Sequence, residues 1–305
     1  MRVKPQLPRG LITALITPSF NDVRTLGESL SKLIELQLKN NVIGFFTLGT
    51  YGEGLLLPVE KRMLVLDKIL ENVPSGFLVI NNVSAPSIED SIKLAKHSID
   101  VGVDKIASLP PLYYNIGIVE IKRFFNELGR IEAQLFIYNN PRKVYIDIGP
   151  MLLKQIVEET PSVVGIKDSS GLIERLIELV SNFLNQLYVG IANDSLVMDA
   201  FLYGADAHIC GVCNAIPELA IELLKSVERG DLRRAMLIQT LINEFRSLSR
   251  EFHVEGVVLV KASLKLRGID VGDPFIPLRR LNERELLRVR SVLDKIFRIV
   301  GINEI

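Results

Sequence analysis

The chain is poor in the residues from which metal and redox centres are built. Among 305 residues there are three histidines, two cysteines and no tryptophan. The cysteines, Cys210 and Cys213, form a C-x-x-C in HICGVCN with no second such pair, and only His97, His208 and His253 are available to complete a zinc shell. Because that segment is apolar and strand-like, both are read as buried structural thiols, and no metal or thiol-redox centre is expected. Charge of either sign is not in excess, with Lys+Arg and Asp+Glu at 36 each. A balanced chain offers no global field to attract nucleic acid or an anionic membrane. The longest apolar runs are of strand length, well short of the roughly 18 residues a membrane span needs, and no apolar h-region follows MRVKPQLPRG. A soluble, cytoplasmic protein is expected. No low-complexity tract or Pro/Gly/Ser-rich linker splits the chain.

What the sequence does have is a rhythm. Short apolar or β-branched runs recur at 12–18, 43–49, 77–83, 105–110, 134–140, 163–168, 188–194 and 206–212, with helical-period stretches between them. Pro58 and Pro86 suit the first turns of the helices they precede, and Pro217 opens another. Strands alternating with helices must run parallel, joined by right-handed crossovers. Eight such units at spacings of about 18 to 34 residues predict an α/β fold of the (β/α)8 TIM-barrel type. An open, doubly wound sheet would place a G-x-G-x-x-G turn after the first strand, where the chain instead reads SFNDVRT. Beyond residue 230 the pattern is helical throughout. The expected organisation is a catalytic barrel over 1–230 with a C-terminal helical extension over 231–305.

In such a barrel the working groups sit at the C-terminal ends of the strands. The proposed strand ends carry Gly49-Thr50-Tyr51-Gly52-Glu53, Asn81-Asn82, Tyr113-Tyr114-Asn115, Tyr138-Asn139-Asn140, Lys167-Asp168 and Asn193-Asp194. One of them, VVGIKD, carries a cation, Lys167, at its end. Strand alternation puts Val163, Gly165 and Lys167 on the inner face, with Val164 and Ile166 outside, and a small Gly165 would leave room for the lysine stem. If Tyr138 on the fifth strand also faces inward, its phenol lies beside the amine. An apolar site disfavours the ammonium, and a neutral amine attacks a carbonyl carbon to form a Schiff base. Tyrosine can relay the protons, and the Gly-Thr-Tyr-Gly turn offers backbone N–H groups and a hydroxyl to a carboxylate. Taken singly, each residue has a plainer role: a solvated strand-end lysine, an amphipathic core tyrosine, turn glycines, and interface aromatics at Tyr113 and Tyr114.

At these positions the sequence resembles the dihydrodipicolinate synthase / N-acetylneuraminate lyase family of class I pyruvate aldolases. LGTYGEG is similar to its G-T/S-T-G-E loop, LYYN to its tyrosine loop, IYNNP to its Y-N-x-P and GIKDSSG to its Schiff-base strand, in family order over about residues 10 to 280. The resemblance implies Lys167 as the Schiff-base former, Tyr138 as general acid/base, and Thr50 with Tyr114 as proton relay. It implies that Gly49, Tyr51 and Ile209 line the pyruvate pocket, that no metal or organic cofactor is needed, and that the chain forms a homo-oligomer, a tetramer in typical members. Tyr51 replaces a usual second threonine, Ala192 a usual glycine, and Lys143 the arginine that binds the aldehyde's carboxylate, with Arg142 one residue earlier. The substrates expected are pyruvate and an aldehyde, slightly favouring aspartate semialdehyde. IASLPPLYY also resembles archaeal 2-keto-3-deoxygluconate aldolases, so a sugar-acid aldolase stays open, as does a non-catalytic keto-acid-binding barrel.

Overall fold

A computed structural model describes residues 4–301. Eight parallel strands close into a barrel in sequence order: β1 (Gly10–Ala14), β2 (Gly44–Thr47), β3 (Leu78–Asn82), β4 (Lys105–Ser108), β5 (Gln134–Asn139), β6 (Val163–Asp168), β7 (Tyr188–Ala192) and β8 (Ala207–Cys210). β1 pairs with both β2 and β8, which closes the ring. All eight expected runs are strands, although the first lies earlier than the sequence indicated. The Leu15 amide still donates to the Phe46 carbonyl of β2 at 3.0 Å, but beyond it the chain leaves the sheet, and Asn214 Oδ1 accepts the Ile16 amide at 2.9 Å in place of a strand partner.

Two apolar layers follow from strand alternation. Ile12, Phe46, Ile80, Phe136, Tyr138 and Ile209 fill the barrel, while Leu135, Ile137, Ile166, Val189 and Ile191 pack outward on the helices. The expected alternation fails in one place. The register between β5 and β6 slips at Leu135/Phe136, so Val163 joins the outer layer and Val164 packs against the inner one, the reverse of the sequence reading. A bulge adds a residue to one strand and breaks the alternation there, so that Val163 and Val164 exchange faces while Gly165, Ile166 and Lys167 keep the expected ones. Gly165 is correspondingly not a slot for the lysine stem: a Cβ there would meet the Phe136 ring at 2.3 Å, so the missing side chain accommodates that ring.

The crossover helices begin where capping chemistry allows. Asp22 and Ser87 accept backbone N–H groups at the starts of Val23–Lys39 and Ile88–Asp100, and Pro217 occupies a first turn. Pro58 is itself a cap, and Pro86 lies just outside its helix. The helices Leu232–Glu251, Gly256–Leu266 and Glu283–Val300 share a continuous apolar cluster with the outer face of β1, β2 and their flanking helices, through residues such as Phe245, Val258 and Ile296. Each fully buried side chain of this size contributes roughly 1.5–3 kcal/mol. No helix among the described residues is long and apolar enough to cross a membrane.

The reading of Cys210 and Cys213 as thiols is corrected: both are buried, and they are joined in a disulfide. After β8 the chain turns tightly through Val212–Asn214, which brings the two Cα atoms to 5.4 Å, within bridging range.

Candidate active site

Lys167 ends the inner row of β6 and is 4 % exposed. Its Nζ lies 3.6 Å from the centre of the Phe46 ring and 4.1 Å from that of Tyr138. Ring faces favour an ammonium by about 0.5–2 kcal/mol. Burial works against it more strongly and holds the Lys167 pKa below the ordinary lysine value, while Tyr138 and Asp194 pull weakly the other way.

Tyr138 is the direct register partner of Lys167 across the β5/β6 ladder, as the sequence reading required. Its phenol is fully packed. Burial alone would raise its pKa, but the neighbouring Lys167 charge, the hydrogen bonds of Thr50 and Asn140 and one to Lys167 outweigh that and lower it. The Thr50 hydroxyl and the Tyr138 phenol are hydrogen-bonded at 2.9 Å, either able to donate, and Asn140 Nδ2 donates to the phenol at 3.2 Å. Amine, phenol and hydroxyl thus form a connected line at one end of the barrel.

The turn that carries Thr50 is shaped by backbone constraints. Leu48 and Glu53 adopt left-handed φ values of 55° and 51°. A Cβ on Gly49 would press on the Phe46 ring at 2.7 Å and come within 3.8 Å of Lys167 Nζ, so the chain passes close to the amine because position 49 has no side chain. Asn82 Nδ2 donates to the Leu48 carbonyl at 2.9 Å and pins the start of the turn to β3.

Tyr51 and Ile209 face the same cavity, whose volume is about 890 Å³. Burial is the main cause that raises the Tyr51 pKa and keeps its phenol protonated. The side chain fits between two glycines: a Cβ at Gly211 would meet its ring at 2.2 Å and one at Gly256 its hydroxyl at 2.5 Å. Arg142 and Lys143 line the outer wall, Lys143 held by Glu255 at 2.5 Å. Tyr114 is at the rim, mostly exposed and stacked edge-on against Tyr113 at 5.1 Å. The described hydrogen bonds do not join it to Thr50 or Tyr138.

Sequence reasoning missed the wall beyond the barrel. Phe245, Arg246, Ser249, Arg250, Glu255 and Gly256 of the C-terminal segment also line the cavity. Arg246 donates to Asn193 Oδ1 at 2.5 Å and helps hold Asn193 in a left-handed conformation, φ 81°, directly after Ala192. The signal was faint: a polar face 246/249/250 on an otherwise ordinary amphipathic helix. Asn140 was visible as a strand-end residue, with nothing to mark its bond to Tyr138.

The sequence profile of the Dihydrodipicolinate synthetase family matches residues 7–296. The chain is 27% identical over 286 residues to 4-hydroxy-tetrahydrodipicolinate synthase of Bacillus subtilis, covering 93% of this chain and 98% of that protein. It is 27% identical over 293 residues to N-acetylneuraminate lyase of Mediterraneibacter gnavus, covering 94% and 92%. Among solved structures, wild-type sialic acid aldolase of Ruminococcus gnavus superposes with a TM-score of 0.88 at 25% identity, covering 97% of this chain and 99% of that one. A family match that runs through every strand leaves one conclusion: the chain belongs to the dihydrodipicolinate synthetase family, whose matched members are lyases.

Proposed function

We propose that the protein is a class I aldolase, a lyase that carries pyruvate as a Schiff base on Lys167 and adds it to, or releases it from, an aldehyde. The observation that carries this reading is the buried amine with its proton-transfer partner: Lys167 on aromatic rings, Tyr138 beside it, and Thr50 hydrogen-bonded to Tyr138. The neutral Lys167 Nζ attacks C2 of pyruvate. Tyr138 relays one proton from nitrogen to the oxygen and then gives its own phenolic proton to the resulting hydroxyl, so that water leaves and an iminium remains beside the phenolate. Loss of a C3 proton to the Tyr138–Thr50 pair gives an enamine, which attacks the aldehyde carbon as the new alkoxide takes that proton back. Hydrolysis then frees Lys167, and the reverse sequence cleaves a 4-hydroxy-2-oxo acid. Gly49 and the Thr50-Tyr51 backbone serve the pyruvate carboxylate, with Tyr51 and Ile209 as walls.

For the acceptor we favour aspartate semialdehyde, with Arg142 receiving its carboxylate and Lys143, tied to Glu255, adding positive charge. The size of the cavity and its polar far wall also suit a longer 2-keto-3-deoxy sugar acid. The exposed pair Tyr113 and Tyr114, with Tyr113 at φ 79°, supports a homotetramer in which this loop reaches a neighbouring subunit's site. We assign the barrel, 1–230, as the catalytic domain and 231–305 as its C-terminal helical appendage.

Incubation with pyruvate and sodium borohydride, followed by peptide mass mapping, tests the reading. A reduced pyruvyl adduct on Lys167, absent in Lys167→Ala, is expected. A folded protein without it would sink the mechanism and leave a keto-acid-binding barrel. Aldehyde and sugar-acid screens then separate the two substrate readings.

A further inference from the structure

The helix Gly256–Leu266 carries a second buried lysine, Lys261, far along the chain from any strand end. Its Nζ forms an ion pair with Glu53 Oε2 at 2.5 Å, both side chains only 1 % exposed. Glu53 Oε1 accepts the Phe275 amide at 2.7 Å, and Lys261 Nζ also donates to the Asp273 carbonyl at 3.3 Å and lies 4.6 Å from the Phe275 ring centre. Glu53 therefore has two contacts in the C-terminal segment, Lys261 and the Phe275 amide, while belonging to the turn after β2.

That turn carries backbone strain at the residue the helix holds. Glu53 sits at φ 51°, a conformation most residues with side chains avoid, and it persists only where surroundings enforce it. From there the link to the reacting groups is short. The Glu53 amide donates to the Thr50 carbonyl at 3.1 Å, the Gly54 amide to the Gly49 carbonyl at 3.2 Å, and Thr50 Oγ1 meets the Tyr138 phenol at 2.9 Å. The same helix receives the Tyr51 ring at Gly256, so it grips the turn at two points.

We propose that Lys261, acting through Glu53, is a positioning residue for the reaction: the C-terminal helix sets where the carboxylate-binding turn and the Thr50 hydroxyl stand relative to Lys167 and Tyr138. This rests on the lysine-aldolase reading. Neither residue touches the reacting atoms. A shift of the turn by an ångström is enough to cost up to about a hundredfold in rate.

The test compares Glu53→Gln, which keeps an acceptor for the Phe275 amide but removes the charge, with Lys261→Met and with Ile296→Ala. The last loosens the same helical segment without touching the pair. The readouts are KM for pyruvate, kcat, thermal midpoint and borohydride trapping. Expected are a rise in KM of about tenfold and a fall in kcat of similar size in Glu53→Gln and Lys261→Met, with the adduct still trapped on Lys167 at saturating pyruvate. Ile296→Ala should lose thermal stability with KM and kcat unchanged. Should Lys261→Met not fold, Glu53→Gln decides alone. Wild-type KM and kcat in a folded Glu53→Gln, or equal kinetic losses in Ile296→Ala, would overturn the proposal. Failure of wild type to trap pyruvate would instead overturn the reading on which it rests.

Discussion

Two regions of this molecule solve the problem of a buried lysine in opposite ways. At the barrel mouth, Lys167 faces rings and hydroxyls, 3.6 Å from the Phe46 centre, and its closest polar neighbour is a phenol. At the seam with the C-terminal helices, Lys261 has a carboxylate at 2.5 Å and a ring on its other side. Burial lowers both pKa values, and Glu53 opposes that only for Lys261. A lysine given a carboxylate becomes an anchor, because removing either partner strands a charge. A lysine among rings and a phenol, with no carboxylate at ion-pair distance among the described residues, sheds its proton more readily, as the proposed nucleophile must.

The sharpest way to break the comparison is to replace each lysine by methionine. Lys167→Met should lose at least about 10⁴-fold in kcat/KM while matching or exceeding wild-type stability by about 1 kcal/mol, since it removes a buried amine that no carboxylate contacts directly. Thermal melts that show it as damaged as Lys261→Met would end the distinction. Tyr138→Phe keeps the ring against Phe46 and removes the proton carrier, so single-turnover kinetics should slow by about 10²–10⁴-fold with little change in melting.

Lys261→Met should cost about 3–5 kcal/mol in denaturant unfolding, because Glu53 is left buried and unpaired. The pH response sharpens the contrast further. The rate of pyruvate trapping should rise as Lys167 loses its proton and level off below the reference lysine value of 10.5. Between the folded and unfolded pKa values the unfolded chain holds the extra proton, so wild-type stability relative to Lys167→Met should rise with pH through that window. A break at or above 10.5 would show the amine to be solvated.

How much of this was legible in the sequence depended on distance along the chain. Eight strands and their parallel order could be read from hydrophobic rhythm, and GIKDSSG with IYNNP marked the lysine and tyrosine because adjacent strands must place their ends side by side. The β5/β6 slip was not legible: Val163 and Val164 are chemically identical, so the sequence contains nothing to say which one faces inward. Nor were the contacts of residues 246–261 with the mouth, since a long-range seam such as Glu53 to Lys261 leaves no local period. The cysteines were misjudged because C-x-x-C in an apolar strand specifies burial but not bonding.

The smallest expected effect concerns Tyr51. Gly211→Ala should impair pyruvate binding severalfold in wild type and be tolerated in a Tyr51→Thr background, measured as a double-mutant cycle in KM. Equal penalties in both backgrounds would mean that the ring does not press on position 211. The two flanking glycines also tie three positions together. A Cβ at 211 would press on the Tyr51 ring and one at 256 on its hydroxyl, so a methyl group at either position is compatible only with a smaller or displaced residue at 51. The aromatic wall of this pocket is thus defined as much by two absent side chains as by the one that is present.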